Sequence, residues 1–222
     1  MKKYSLVLAL LFLPRLILAD TTADILKHIK EQQDKVQDFK AYYTQTVTSS
    51  LMKDPQVESG VFYKKGDQIR KETQKPSAKL LITTRKYVIE KDLSTGRVSK
   101  LELSEEDKAK LSPEEAISKF DFKLVTENAT SYFLSGTYQG STLDMEVTKG
   151  SYLTRKLVMT FNQIPMTLLM DYAQTSGNIY VLSKATTTMS VKMGTTNNDI
   201  QMVLSYKDIK SNVGLSDSLF DL

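Results

Sequence analysis

The chain has 222 residues, with 30 Lys and Arg against 26 Asp and Glu, no Cys, no Trp and a single His. That length suits one large or two small domains, and a 41% hydrophobic share beside 25% charged residues supplies a core and excludes global disorder. Without Cys there are no disulfides, thiolate nucleophiles or Cys-ligated zinc, and one His gives no basis for a His-rich metal site or a Ser-His-Asp centre.

Residues 1–19 read as an address. Lys2 and Lys3 precede the short apolar run Leu6–Leu13, and Ala19 is a small residue suited to a cleavage position. Pro14 and Arg15 interrupt a stretch already too short to span a bilayer. The pattern predicts a cleaved secretory signal over 1–19 and one exported domain over 20–222, with no Cys after the signal to carry a lipid anchor. The signal holds three basic residues and no acidic one, so without it the net charge falls from +4 to +1. No Lys/Arg stripe is interleaved with aromatics, and nucleic-acid binding is not expected.

Thr21 or Thr22 can cap a helix with Asp24 in its first turn. Ile25, Leu26, Ile29, Val36 and Phe39 recur at helical spacing, predicting a helix over Ile25–Phe39 with His28 on its polar side. From Phe39 the period changes to two: Phe39, Ala41, Tyr43, Gln45, Val47, Ser49 and Leu51 share one strand face. Short β-rich runs continue at Val57–Lys65, Gln68–Gln74, Lys79–Thr84, Lys86–Leu93 and Arg97–Leu103, with Gly66-Asp67 and Thr95-Gly96 as turns. Ser104–Leu111 is charged and helix-compatible. Ser112-Pro113-Glu114-Glu115 then supplies a cap, a first-turn Pro and a Glu three residues after the cap, ahead of Ala116, Ile117 and Phe120. Strands resume at Phe122–Glu127, Tyr132–Gln139, Leu143–Thr148, Leu153–Phe161, Met166–Tyr172, Tyr180–Met193 and Asp199–Lys210. About eleven strands with two helical insertions and no linker predict one mainly β domain of α+β class. Its expected form is a strongly curved antiparallel sheet or unclosed β-barrel, with the helices covering one opening.

The methionines cluster. Seven of the nine lie between 145 and 202, and strand parity puts each on the more apolar face. Leu157, Met159 and Phe161 share a face, as do Met166, Leu168 and Met170; Met189 stands on the apolar side of its long strand and Met202 on that of the last. Flexible, polarizable Met can line a surface that fits variable apolar ligands, but it also fills ordinary cores, and the pattern leaves both readings open. Catalysis finds little support. Glu105-Glu106-Asp107 and Glu114-Glu115 suit helix starts and solvent, no Ser sits in a nucleophile elbow, and no Gly-rich loop could cradle a phosphate. No enzyme activity, metal or cofactor is expected.

The stretch Asp34–Val47, with Phe39-Lys40-Ala41 followed by Tyr43-Thr44-Gln45, resembles the LolA family of periplasmic lipoprotein carriers. That family ends its first helix on Phe-x-Ala and continues with aromatic-x-Gln on the first strand. Gly60-Val61-Phe62-Tyr63, Lys65, Ile69-Arg70 and Pro76 resemble the strands and turn that follow, and Gly214–Phe220 resembles the closing segment. The resemblance implies an unclosed β-barrel with a helical lid over an apolar cavity. It implies a monomeric carrier that takes lipoproteins from an inner-membrane ABC-type release complex to an outer-membrane receptor, itself a lipoprotein.

With strand parity, the resemblance singles out a cavity wall of Phe39, Tyr43, Leu81, Leu157, Met159, Phe161, Met166, Leu168, Met170, Met189 and Met202. Leu81 comes from the resemblance alone, since Leu80 and Ile82 on the opposite face leave periodicity ambiguous there. Many carriers have Arg-Pro where this chain has Lys65-Gly66, and that Arg holds the lid closed through hydrogen bonds. Lys65 keeps the charge without the planar fork, and Arg70 matches the family's strand Arg; both are latch candidates, with a solvated strand charge as the alternative for Arg70. Thr84-Arg85-Lys86 stands for an Asp-Gly-Lys-like turn, and no counterpart of the family's further C-terminal loop and strand precedes Leu222. Two other readings remain: an exported barrel that binds or senses another amphiphile, such as a glycolipid or a mislocalised lipoprotein, and a structural domain whose core is filled by its own side chains.

Overall fold

The computed structural model describes residues 20–104, 117–161 and 164–222. The signal expected over 1–19, the charged stretch 105–111 and the helix start at 112–116 lie outside these residues.

The first element is a helix, α1 (Thr22–Asp34). Thr21 caps it: its hydroxyl accepts from the Asp24 N–H at 3.2 Å, and the Asp24 carboxylate accepts from the Thr21 N–H at 3.1 Å. The helix stops short of the expected end at Phe39. Asn212 accounts for the stop, because its side chain accepts from the Gln37 N–H at 2.9 Å and donates to the Lys35 carbonyl at 2.8 Å. Those backbone groups would otherwise continue the helical ladder. Phe39 therefore belongs to the first strand.

Thirteen strands are described: β1 (Asp38–Ser49), β2 (Gln56–Lys65), β3 (Gln68–Lys75), β4 (Lys79–Thr83), β5 (Tyr87–Asp92), β6 (Val98–Glu102), β7 (Asp121–Glu127), β8 (Ser131–Tyr138), β9 (Ser141–Thr148), β10 (Thr154–Phe161), β11 (Ile164–Gln174), β12 (Tyr180–Met193) and β13 (Thr196–Ser211). The expected total of about eleven was too low, although the runs named from the sequence correspond one for one to these thirteen strands. Tight turns at Thr84 and Asp92–Gly96 keep β4, β5 and β6 apart.

All thirteen form one antiparallel sheet in the order β6-β5-β4-β3-β2-β1-β13-β12-β11-β10-β9-β8-β7. The chain starts near the middle, steps outward to β6, crosses to the far edge at β7 and returns strand by strand until β13 pairs with β1. Its two edges are thus consecutive in sequence and pair with no further described strand. The result is the expected mainly β class, a single antiparallel sheet not closed into a barrel.

Apolar packing divides among three clusters. Ile25 of α1, with Leu26 and Ile29, packs on Phe122, Leu134, Leu143, Met145 and Val147 of β7–β9, and Ile117 and Phe120 join them. Phe39, Ala41, Tyr43, Val181 and Tyr206 form a second cluster on the same face. The third, Leu80, Ile82, Ile89 and Phe220, lies on the opposite face of β4 and β5 under the C-terminal segment, which ends in a 3₁₀ turn at Asp217–Phe220.

Asp20 ties the start of α1 to the sheet: its carboxylate accepts from the Tyr132 hydroxyl and from the Tyr152 hydroxyl at 2.7 Å. The Tyr132 hydrogen bond is the main cause holding the Asp20 carboxyl below its ordinary pKa. A depressed carboxyl adds stability above its unfolded pKa and loses it as pH falls through the folded one. The melting temperature of the wild type should therefore exceed that of Asp20→Asn at neutral pH, and thermal melts across pH should show the gap closing below the ordinary aspartate range.

Candidate functional site

Cross-strand pairing stacks the inward side chains, those on the α1 side of the sheet, into rows perpendicular to the strands. One row runs Val47, Met202, Thr187, Leu168, Leu157, Met145 and Leu134 from β1 to β8. The next runs Ser49, Ile200, Met189, Met166, Met159 and Leu143. On the other side of the first lies Glu58, Gln45, Leu204, Ala185 and Met170. Under α1 the row ends are sealed, with Leu134 and Leu143 each 1% exposed. From β10 to β13 the same rows are only half-buried at Leu157, Met159, Met166, Leu168, Met170, Met189 and Met202. Seven of the eleven expected wall residues thus meet on one partly open apolar face.

Of the other four, three are packed or placed apart from it, and the side chain of Phe161 lies outside the described residues. Phe39 and Tyr43 share that face but are packed away in the second cluster, where Phe39 stacks at 5.5 Å on Phe62 and at 5.8 Å against the edge of Tyr206. The Tyr43 hydroxyl shares a 2.7 Å hydrogen bond with Thr73. The Lys71 ammonium lies 4.9 Å from the Tyr43 ring centroid and pairs with Glu58. Burial pushes the Tyr43 and Tyr206 hydroxyls above the ordinary tyrosine range, so both stay protonated and neutral. Leu81 is half-buried opposite Lys71 and Glu90, with β1–β3 between it and the methionines. Phe161 ends β10 opposite Ile164. Gly60, which opened one of the family-like motifs, faces Tyr43, and a Cβ there would overlap the Glu72 backbone carbonyl.

Lys65 and Arg70 lie on the opposite face, with Tyr63 and Ile82. Lys65 donates to the Leu215 carbonyl at 2.7 Å and pairs with Asp217 at 2.7 Å. Arg70 donates to the Leu219 carbonyl at 2.8 Å and pairs with Glu72 at 2.6 Å. Both therefore grip the C-terminal segment and not α1, the described part of the expected lid, which lies on the other face of the sheet. The carboxylate of Asp38, a residue only 5% exposed, accepts from the N–H groups of Val213, Gly214 and Leu215 at 2.8, 2.9 and 3.1 Å. Sequence reasoning missed Asp38, whose acceptors are used 175 residues along the chain. It also passed over Lys64, the inward lysine opposite Phe39, which parity with Phe62 could have flagged.

Two surface depressions, of about 650 and 410 Å³, open mainly between outward side chains, although the larger also touches Met189 and Ile200 and the smaller Leu134 and Met145. The larger is lined mainly by outward Thr48, Thr167, Thr188 and Gln201, the smaller by Phe133, Asp144, Glu146 and Lys156. Hydroxyl and charged side chains interrupt both walls, so the more continuously apolar methionine face is the stronger candidate for a long apolar ligand. Among the described residues no group of three His, Asp or Glu side chains is placed to hold a metal.

The family model described as outer membrane lipoprotein carrier protein LolA matches residues 34–160. Among solved structures, a DUF1329 family protein from Desulfovibrio piger is similar at 14% identity and a TM-score of 0.66, covering 91% of this chain and 98% of that one. A LolA superfamily protein from Nitrosomonas europaea is similar at 14% identity and a TM-score of 0.64, covering 92% and 99%. An outer membrane lipoprotein-sorting protein domain from Vibrio parahaemolyticus is similar at 15% identity and a TM-score of 0.61, covering 88% and 95%. These likenesses concern the fold. No curated protein matches the sequence.

Proposed function

This chain belongs to the LolA family of outer membrane lipoprotein carriers, and from that premise we propose that its methionine face binds the acyl chains of lipoproteins and carries them through the periplasm from the inner to the outer membrane. The family is one of carriers and not enzymes. The observation that carries the proposal is the pair of cross-strand rows, apolar over β10–β13 except at the buried Thr187 and half-buried at Leu157, Met159, Met166, Leu168, Met189 and Met202. A filled core would bury these side chains as completely as Leu134 and Leu143 are buried under α1.

Each methylene moved from water onto this face gains about 0.8 kcal/mol. Full burial of several acyl chains would exceed the practical ceiling of roughly 20 kcal/mol for noncovalent affinity and prevent release. A partly open wall of flexible Met favours transfer over storage. In this reading residues 1–19 direct export, an inner-membrane ABC-type complex loads the carrier, and an outer-membrane lipoprotein receptor unloads it. Native purification from the periplasm, with mass spectrometry of what co-purifies, tests the proposal. Lipoproteins are the expected cargo; another lipid class alone would replace them as cargo, and the absence of any amphiphile would reject the carrier.

Lys65 and Arg70 act, in the same proposal, as a latch on the C-terminal segment. Lys65→Leu and Arg70→Leu should each speed amide exchange over residues 213–220 on the order of tenfold, since each removes a charge-assisted hydrogen bond. Unchanged exchange in both variants would reject the latch.

A further inference from the structure

Gln45 closes the Tyr43-Thr44-Gln45 motif, yet neither the packed cluster nor the apolar rows use its carboxamide. Strand parity turns it inward with Tyr43 and Val47. It is half-buried, paired to Leu204 on one side and Glu58 on the other. Glu58 is committed to Lys71, which also covers the Tyr43 ring. The Gln45 side chain makes no hydrogen bond among the described residues, which leaves its amide an uncommitted polar group at the margin of the methionine face. A half-buried amide beside Leu204 and Ala185 is costly to cover with hydrocarbon unless it gains a partner.

We propose that Gln45 recognises the linkage of the cargo, donating from its side-chain N–H to the carbonyl of an acyl ester or amide. The chain then runs from Gln45 over Met202 and Leu168 toward α1, where Ile29 packs against the sealed end of the rows. From β1 to β10 the path spans four strand spacings, about 19 Å, a length suited to a long-chain acyl group. The strand charge beside its start is compensated, Lys71 by Glu58, so the site fits an uncharged ester or amide better than a phosphate. This rests on the carrier reading and adds to it the part of the cargo that is read, the carbonyl beside the chain.

The test compares an ester-linked diacylglycerol with its ether-linked dialkyl analogue of the same chain length, each displacing a fluorescent alkyl probe. The two differ in the carbonyl and hardly at all in apolar surface. The wild type should bind the ester about fivefold more tightly, the worth of one neutral hydrogen bond. Gln45→Leu should lose that preference while keeping the ether affinity and the melting temperature. If Gln45→Leu is not folded by circular dichroism, Gln45→Met serves as the second variant. Equal affinities in the wild type, or a preference that survives in the variants, would overturn the role of Gln45 and leave the carrier standing. Failure of both lipids and the probe to bind would overturn the carrier as well.

Discussion

Leu168→Asp is expected to abolish acyl binding, while Leu169→Asp, one position along the same strand, leaves affinity within about twofold. Leu168 sits mid-row on the inward face between Thr187 and Leu157. Leu169 points the other way and is 48% exposed. A carboxylate at 168 keeps its hydration while the face is empty and loses it when hydrocarbon covers it. The bound state is therefore penalised by about 3 kcal/mol or more, a fall in affinity of at least two orders of magnitude. At 169 the same charge stays in water throughout. Titration of a fluorescent fatty-acyl probe, with circular dichroism to verify both folds, reads the difference. Equal losses in the two variants would show that added charge, not position on the inward face, governs binding.

Asp38→Ala should have the largest effect on stability. The carboxylate is the acceptor that turns the chain from β13 into the C-terminal segment, in a stretch where Asn212 and Gly214 adopt positive φ of 53° and 73°. Alanine leaves three N–H donors without their acceptor and loosens the segment that seats Phe220 beneath Leu80, Ile82 and Ile89. Water can reach part of the segment once it lifts, so the cost is set at about 3 kcal/mol rather than the sum of three orphaned donors, or roughly 10 °C in Tm. Asp38→Asn keeps one acceptor oxygen and should fall between. A melting temperature unchanged in Asp38→Ala would mean that the tail contributes no stability through this carboxylate.

Much of the sheet was legible because each strand carries its own period-two pattern. The inward set Met166, Leu168 and Met170 follows from β11 alone, and its meeting with Leu157, Met159 and Met189 needs only antiparallel neighbours. Local pattern fails where a distant partner decides. Phe39 fits the helical stripe and the strand face equally, and Asn212 settles the matter from the other end of the chain. Lys65 and Arg70 were legible as cations on strands, but what they hold depends on where residues 213–220 return. Tyr43 has the right parity for a wall and is nonetheless packed away, because Phe62, Tyr206 and Lys71 converge on it from three strands.

The central claim is that the inward face of β10–β13 is open to acyl chains and not closed by the protein's own side chains. Ala185→Phe tests it most directly. Ala185 is half-buried and inward, between Met170 and Leu204. On an open face the added ring projects into the space cargo would occupy, so fluorescent acyl-probe binding should be lost while the melting temperature holds. In a close-packed core the same ring overpacks its neighbours and costs stability. Loss of binding with an unchanged melting temperature is the result this account predicts; normal probe binding with a lowered melting temperature would contradict it.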